Sequence, residues 1–220
     1  MRLHQQREAI VRVAQRCVAD GLIVGTSGNL SVAAEDVVAV TPSGLRYPGM
    51  TSADVVLIDH EGGLVEGELL PTSEWQLHLG VHATYAPGAI VHTHSPYVVA
   101  VSTLLDELPA IHYDVTLLGG PPRVAPYATF GTKLLADNVV AALQGRTAAI
   151  MKNHGAIAIG ATIEQAHQRA EILEWLCRVW SIARSIGQPR VLTGPELTDV
   201  ERQYEQLVTE RAAMPRWTAG

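Results

Sequence analysis

The chain has 220 residues, enough to bury a substantial core, and its 47% hydrophobic and 17% charged content is that of a compact globular protein, not a disordered or low-complexity one. Sixteen Lys and Arg against 22 Asp and Glu give a formal charge of -6 with no basic stripe, which argues against nucleic acid as a partner and requires local donors for any anionic substrate. No apolar run reaches the ~18 residues of a membrane span, no apolar signal core opens the chain, and Cys17 and Cys177 make no CxxC, so we expect a soluble cytoplasmic protein with two reduced, buried thiols.

Helical spacing of Ile10, Val13, Ala14 and Cys17 predicts an opening helix over 3–20, capped by Gly21. A loop of small residues, Gly25-Thr26-Ser27-Gly28-Asn29, leads into short strands at 30–32 and 37–40, followed by the turn Thr41-Pro42-Ser43-Gly44. The apolar run 55–58 and the pair Leu64-Val65 read as a hairpin around Glu61-Gly62-Gly63. Pro71-Thr72-Ser73-Glu74 then precedes a helix to about Tyr85, which places Glu74 near its N-terminus. A strand carrying Val91-His92-Thr93-His94 and a short helix over 96–103 follow, while 110–118 fits strand or helix equally. Gly119-Gly120-Pro121-Pro122 is a loop. A helix over 131–143 comes next, then strands at 147–151 and 156–159 joined through Lys152-Asn153-His154-Gly155. Thr162-Ile163-Glu164-Gln165 has capping-box form and opens a long helix to Gly187, and a last helix covers 195–213. The expected architecture is a single domain with interleaved helices and short strands, an α/β arrangement whose hairpins suggest a largely antiparallel or mixed sheet.

On a strand, residues i and i+2 share a face, so His92 and His94 direct both imidazoles into one space. Such a pair fits either a solvated edge strand or two corners of a metal site. His154, on a turn between strands, would supply a third nitrogen, and three histidines with an open position are the donor set of catalytic zinc. His4, His60 and His167 read as solvated surface. His78 and His82, four apart on the helix after Glu74, read as packing and hydrogen-bonding residues. Glu74 is a candidate acid or base, or a charge compensating the helix N-terminus. The loops at 25–29, 41–44 and 72–73 present hydroxyls and unhindered backbone N–H groups, which bind phosphate without net positive charge or serve simply as turns.

Seven motifs in order, Gly-Thr-Ser-Gly-Asn-Leu-Ser (25–31), Thr-Pro-Ser-Gly (41–44), Pro-Thr-Ser-Glu-Trp (71–75), His-Thr-His-Ser (92–95), Pro-Ala-Ile-His-Tyr (109–113), Ala-Pro-Tyr-Ala-Thr-Phe-Gly-Thr (125–132) and Asn-His-Gly (153–155), make the chain resemble the class II aldolase/adducin family from Gly21 to about Trp180. Its L-fuculose-1-phosphate aldolase branch matches best. The resemblance implies one αβα-type domain, 1–220, with a central, mostly antiparallel sheet flanked by helices, and a homotetramer with its active site between adjacent subunits. It also implies a zinc ion held by His92, His94 and His154, with manganese or cobalt also acceptable to imidazole. It makes Glu74 the acid/base, able to approach the metal when substrate is absent. It assigns the substrate phosphate to Gly28, Asn29, Ser43, Gly44, Thr72 and Ser73, with Thr72 standing where the family usually has serine. Tyr113 would reach the site from the neighbouring subunit and exchange a proton with the aldehyde oxygen.

The implied reaction is reversible cleavage of a ketose 1-phosphate, L-fuculose 1-phosphate or a related 5-deoxypentulose 1-phosphate, to dihydroxyacetone phosphate and an aldehyde. No Schiff-base lysine is needed, and Lys133 and Lys152 have no part in the scheme. The family also contains L-ribulose-5-phosphate 4-epimerase, which carries aspartate where Glu74 stands, and methylthioribulose-1-phosphate dehydratase, against which Tyr113 within its motif argues. The adducin-like binding module lacks the metal, and the three histidines with Glu74 argue against it.

Overall fold

A computed structural model of the chain describes residues 1–34 and 36–213. The described residues contain eight strands, β1 (Asn29–Ala34), β2 (Val37–Val40), β3 (Val56–Ile58), β4 (Leu64–Glu66), β5 (Ala89–Thr93), β6 (Val124–Ala125), β7 (Ala148–Met151) and β8 (Gly155–Gly160). Six α-helices accompany them: α1 (His4–Ala19), α2 (Trp75–Tyr85), α3 (Pro96–Ser102), α4 (Lys133–Ala142), α5 (Ile163–Ile186) and α6 (Gly194–Ala213). The strands form one sheet in the order β4-β3-β2-β1-β5-β8-β7-β6, antiparallel throughout except for the short parallel pair β6/β7.

Both faces of the central strands are buried, which is why they read as unbroken apolar runs instead of alternating ones. On β5, Ala89 and Val91 join the core beneath α1, α3 and α5, whereas Ile90 points into the core beneath α2 and α4. The same alternation divides Ala156 and Ala158 from Ile157 and Ile159 on β8. The expected helix–sheet–helix architecture is therefore present.

Local signals explain most boundaries. Gly21 adopts φ 74 after α1, and Leu22 N–H bonds to the Cys17 carbonyl while Gly21 N–H bonds to that of Val18, the hydrogen-bond pair of a Schellman cap. Thr162 caps α5 by accepting from Gln165 N–H, and Gln165 returns a bond to Ala161 N–H. The ambiguous stretch 110–118 is neither strand nor α-helix but contains a 3-10 helix at Tyr113–Leu118. The two-residue strand β6, too short for any periodicity, escapes sequence reading altogether. His167 corrects an expectation: it is 2% exposed, with its two ring nitrogens 3.1 Å from Asp20 and 3.1 Å from Glu171. It ties α5 to the end of α1 and is not a solvated flank.

Candidate active site

Three neighbouring strands deliver the site from one end of the sheet. β5 ends in His92 and Thr93, with His94 just beyond it, while its antiparallel neighbours begin there, β1 with Asn29 paired to His92 and β8 just after His154. Two glycines make the convergence possible. Gly28, at φ 95, would bring a Cβ to 2.8 Å from the His92 carbonyl oxygen, and a Cβ on Gly155 would collide with the carbonyl oxygen of Thr93. The turn bearing His154 is anchored by Ser102, whose hydroxyl accepts from Asn153 N–H at 3.1 Å, with Asn153 itself at φ 53.

Glu74 enters at the N-terminal end of α2, 5% exposed. Its Oε2 lies 3.0 Å from His92 Nε2 and accepts from Asn29 Nδ2 at 3.0 Å; its Oε1 lies 3.4 Å from His154 Nε2 and has no hydrogen-bond partner. His92 Nδ1 faces the Ala156 carbonyl oxygen at 2.8 Å and must donate to it. That fixes the ring so that Nε2 looks toward His94 Nε2, 2.9 Å away. One atom from each of Glu74, His92, His94 and His154 thus lies within 4.8 Å of the others. Three imidazole nitrogens and a buried carboxylate oxygen lacking a donor are the ligand set of a divalent cation, so the residues fit one.

The electrostatics follow from this crowding. Burial pushes the Glu74 carboxyl up, but His92, Asn29 and His154 outweigh it and hold the group well below the usual carboxylate range. Burial and the neighbouring rings of His92 and His154 lower His94 to about 3, and burial with His92 lowers His154 to about 4. His92 alone is raised, because Glu74 overcomes its burial. Two of the three imidazoles are therefore kept neutral, as cation ligands must be.

Above this cluster opens a cleft of about 460 Å³. All three small-residue loops line it: Gly28 and Asn29, Ser43 and Gly44, Thr72 and Ser73, together with Glu74, His94 and His154. They are laced together, since Ser43 N–H bonds to the Leu70 carbonyl, Thr72 N–H to that of Thr41, and Tyr47 donates to the Gly28 carbonyl at 2.7 Å. No Lys or Arg is among the lining residues described, so an anion would be met by N–H groups and hydroxyls. Tyr113 is not brought into this cleft within the chain. It is 45% exposed and stacks on His112 at 4.3 Å, and His112 meets Trp175 at 4.7 Å. Tyr127, Phe130 and Asn153 line the cleft as well; the sequence marks them only as members of the motifs 125–132 and 153–155, with no role of their own.

A second ligand-like group, Asp20, His167 and Glu171, differs in kind. Arg16 reaches both carboxylates, at 3.3 and 3.5 Å, and supplies the positive charge a cation would otherwise bring.

The family model described as Class II Aldolase and Adducin N-terminal domain matches residues 8–181. A 5-deoxy-D-ribulose 1-phosphate aldolase of Bacillus thuringiensis serovar kurstaki is 38% identical over 208 residues, covering 93% of this chain and 98% of that protein. A 5-methylthioribulose-1-phosphate/5-deoxyribulose-1-phosphate aldolase of Rhodospirillum rubrum is 37% identical and covers 90% of each. Among solved structures, an L-fuculose 1-phosphate aldolase superposes with a TM-score of 0.88 at 35% identity, covering 91% of this chain and 96% of the other.

Proposed function

Because the chain belongs to the class II aldolase and adducin family, as a class II aldolase of the fuculose-1-phosphate and 5-deoxyribulose-1-phosphate aldolase type, we propose that it cleaves a 5-deoxypentulose 1-phosphate or L-fuculose 1-phosphate, reversibly and with zinc, to dihydroxyacetone phosphate and an aldehyde. The observation that carries this reading is the meeting of His92, His94, His154 and Glu74 with three phosphate-type loops in one cleft. A zinc ion held by the three histidines, with Glu74 near it when substrate is absent, would act as a Lewis acid on the substrate's carbonyl and hydroxyl oxygens.

The chain's own groups do the rest. Gly28, Asn29, Ser43, Gly44, Thr72 and Ser73 orient the phosphate within the cleft they line. Asn29 does so with what its side chain has left, because its oxygen faces His78 and one N–H goes to Glu74. In the synthetic direction Glu74 takes a proton from the hydroxymethyl carbon of dihydroxyacetone phosphate, and in cleavage it returns one. Its two oxygens face different partners, so a proton can reside on Oε1 while Oε2 keeps its bond to Asn29. Tyr113, contributed by the neighbouring subunit of a homotetramer, protonates the alkoxide in synthesis. Its exposed ring, stacked on His112, which in turn meets Trp175, favours that placement. We take residues 1–220 to act as one domain, and its two buried, unpaired cysteines suit a cytoplasmic enzyme. Among the described residues no helix is long and apolar enough to cross a membrane.

The test is product identity across a panel of ketose 1-phosphates together with L-ribulose 5-phosphate, read by mass spectrometry and, for epimers of equal mass, by NMR. Dihydroxyacetone phosphate with the matching aldehyde supports the aldolase reading. Loss of water to a diketone, without triose phosphate, would replace it with a dehydratase, and an epimerised pentulose 5-phosphate with an epimerase.

A further inference from the structure

On the side of the sheet facing α2 and α4, most central positions are aliphatic, as Ile90 and Ile157 are. β1 departs from this, presenting Asn29 and Ser31, 6% and 0% exposed, to His78 and His82 of α2, 0% and 7% exposed. Four buried polar side chains in a helix–sheet seam cost stability unless each is hydrogen-bonded, and these are joined end to end. Asn29 Oδ1 lies 2.5 Å from His78 Nε2, Ser31 Oγ lies 2.7 Å from His78 Nδ1 and 2.8 Å from His82 Nε2, and His82 Nδ1 lies 3.2 Å from the Pro87 carbonyl oxygen.

The donors can be placed from the Glu74 end. An ionised carboxylate only accepts, so Asn29 turns Nδ2 to Glu74 and Oδ1 to His78. An amide oxygen also only accepts, so His78 carries its proton on Nε2. Its bare Nδ1 accepts a hydrogen bond from the Ser31 hydroxyl, and Ser31 in turn accepts from His82 Nε2. Burial favours neutral rings, lowering His78 to about 3 and His82 to about 4. A neutral His82 that donates through Nε2 has no proton on Nδ1, so its 3.2 Å approach to the Pro87 carbonyl oxygen is a contact and not a hydrogen bond. Were His78 protonated on Nδ1 instead, its bare Nε2 would face an amide oxygen at 2.5 Å. Asn29 would then turn over and set its oxygen against the Glu74 carboxylate.

We propose that His78, held as the Nε2–H tautomer by Ser31 and backed by His82, is a positioning residue that keeps Asn29 donating to Glu74. Through that bond it fixes the carboxylate's orientation in the cleft. The proposal rests on Glu74 as the base, and it adds residues that touch neither substrate nor metal.

Two variants separate positioning from mere packing. His78→Gln retains an N–H where Nε2 stands and so keeps the bond to Asn29; His78→Asn can meet Ser31 but cannot reach Asn29. Each forfeits one buried link, so their melting temperatures should fall alike. We expect kcat of His78→Asn to drop about tenfold to a hundredfold with KM little changed, while His78→Gln stays within about threefold of the parent. Equal losses of kcat in both variants, or losses that follow melting temperature, would overturn the proposal. Long-range 1H–15N spectra of the histidine-labelled parent protein decide the same question without turnover. A proton on His78 Nε2 is expected, and a proton on Nδ1 would contradict the proposal even if the variants fail to fold. Because that spectrum needs no substrate, absence of aldolase activity would remove the reading of Glu74 without obscuring the order of the hydrogen bonds.

Discussion

As the proposed acid/base, Glu74 meets two demands that usually conflict. A general base must be ionised before it acts, yet it works best in a water-poor site where burial favours the neutral acid. Here three neighbours resolve the conflict: Asn29 donates to Oε2, His92 lies 3.0 Å from the same oxygen, and His154 lies 3.4 Å from Oε1. Replacing Glu74 by Gln preserves shape and leaves three imidazoles for the metal, so bound metal should persist while kcat falls about a hundredfold or more. Full activity in that variant would refute the assigned role. The individual ligands were legible as residue types, since HxH on a strand puts both rings on one face and His154 sits at a strand-joining turn. What could not be read was the partner set, because Asn29, Ser31, His78 and Ser102 become neighbours of the site only through strand pairing and helix packing across dozens of residues.

At the scale of elements, the site is a property of the β1/β5/β8 junction. Most strands and helices could be placed from periodicity and caps, but strand order could not, because the turn signals give neighbours in sequence while the pairings β1/β5 and β5/β8 cross long connections. Close approach at that junction requires Gly155. Its replacement by Ala must push β8 away from Thr93 and carry His154 with it, so we expect destabilisation of about 1–3 kcal/mol together with weaker metal retention. Thermal melting that matches the parent protein, with full metal content, would contradict this.

The seam between β1 and α2 makes a separate prediction about pH. Above about pH 6.5 folded and unfolded chains both hold His78 and His82 neutral, so these rings contribute no slope. Below it the unfolded chain binds two protons that the folded chain refuses, down to about pH 4 for His82 and about pH 3 for His78. Stability of the metal-free protein should therefore fall with acid by about 1.4 kcal/mol per pH unit for each ring. Denaturant titrations of the His78→Gln/His82→Gln protein should lose that part of the slope, and an unchanged slope would show that the rings titrate freely.

For the whole molecule, the question is where Tyr113 acts. The exposed side chains of Tyr113, Leu117 and Trp175 lie outside the cleft of their own chain, and Tyr127 and Phe130 stand 62% and 63% exposed at the cleft. In a ring of subunits each site would combine Glu74 of one copy with Tyr113 of the next. Glu74→Gln and Tyr113→Phe proteins, each impaired alone, should regain activity when co-assembled, with roughly a quarter of sites receiving both intact groups. Failure to recover in proven mixed oligomers would confine the reaction to single chains.

The central claim, metal-dependent carbon–carbon cleavage at the histidine cluster, is tested most directly by triose phosphate release before and after metal removal. With 5-deoxyribulose 1-phosphate or L-fuculose 1-phosphate as substrate, dihydroxyacetone phosphate can be coupled to NADH oxidation through glycerol-phosphate dehydrogenase. We expect exhaustive chelation to abolish the signal and one equivalent of zinc per chain to restore it. Undiminished release from protein proven free of metal would contradict it.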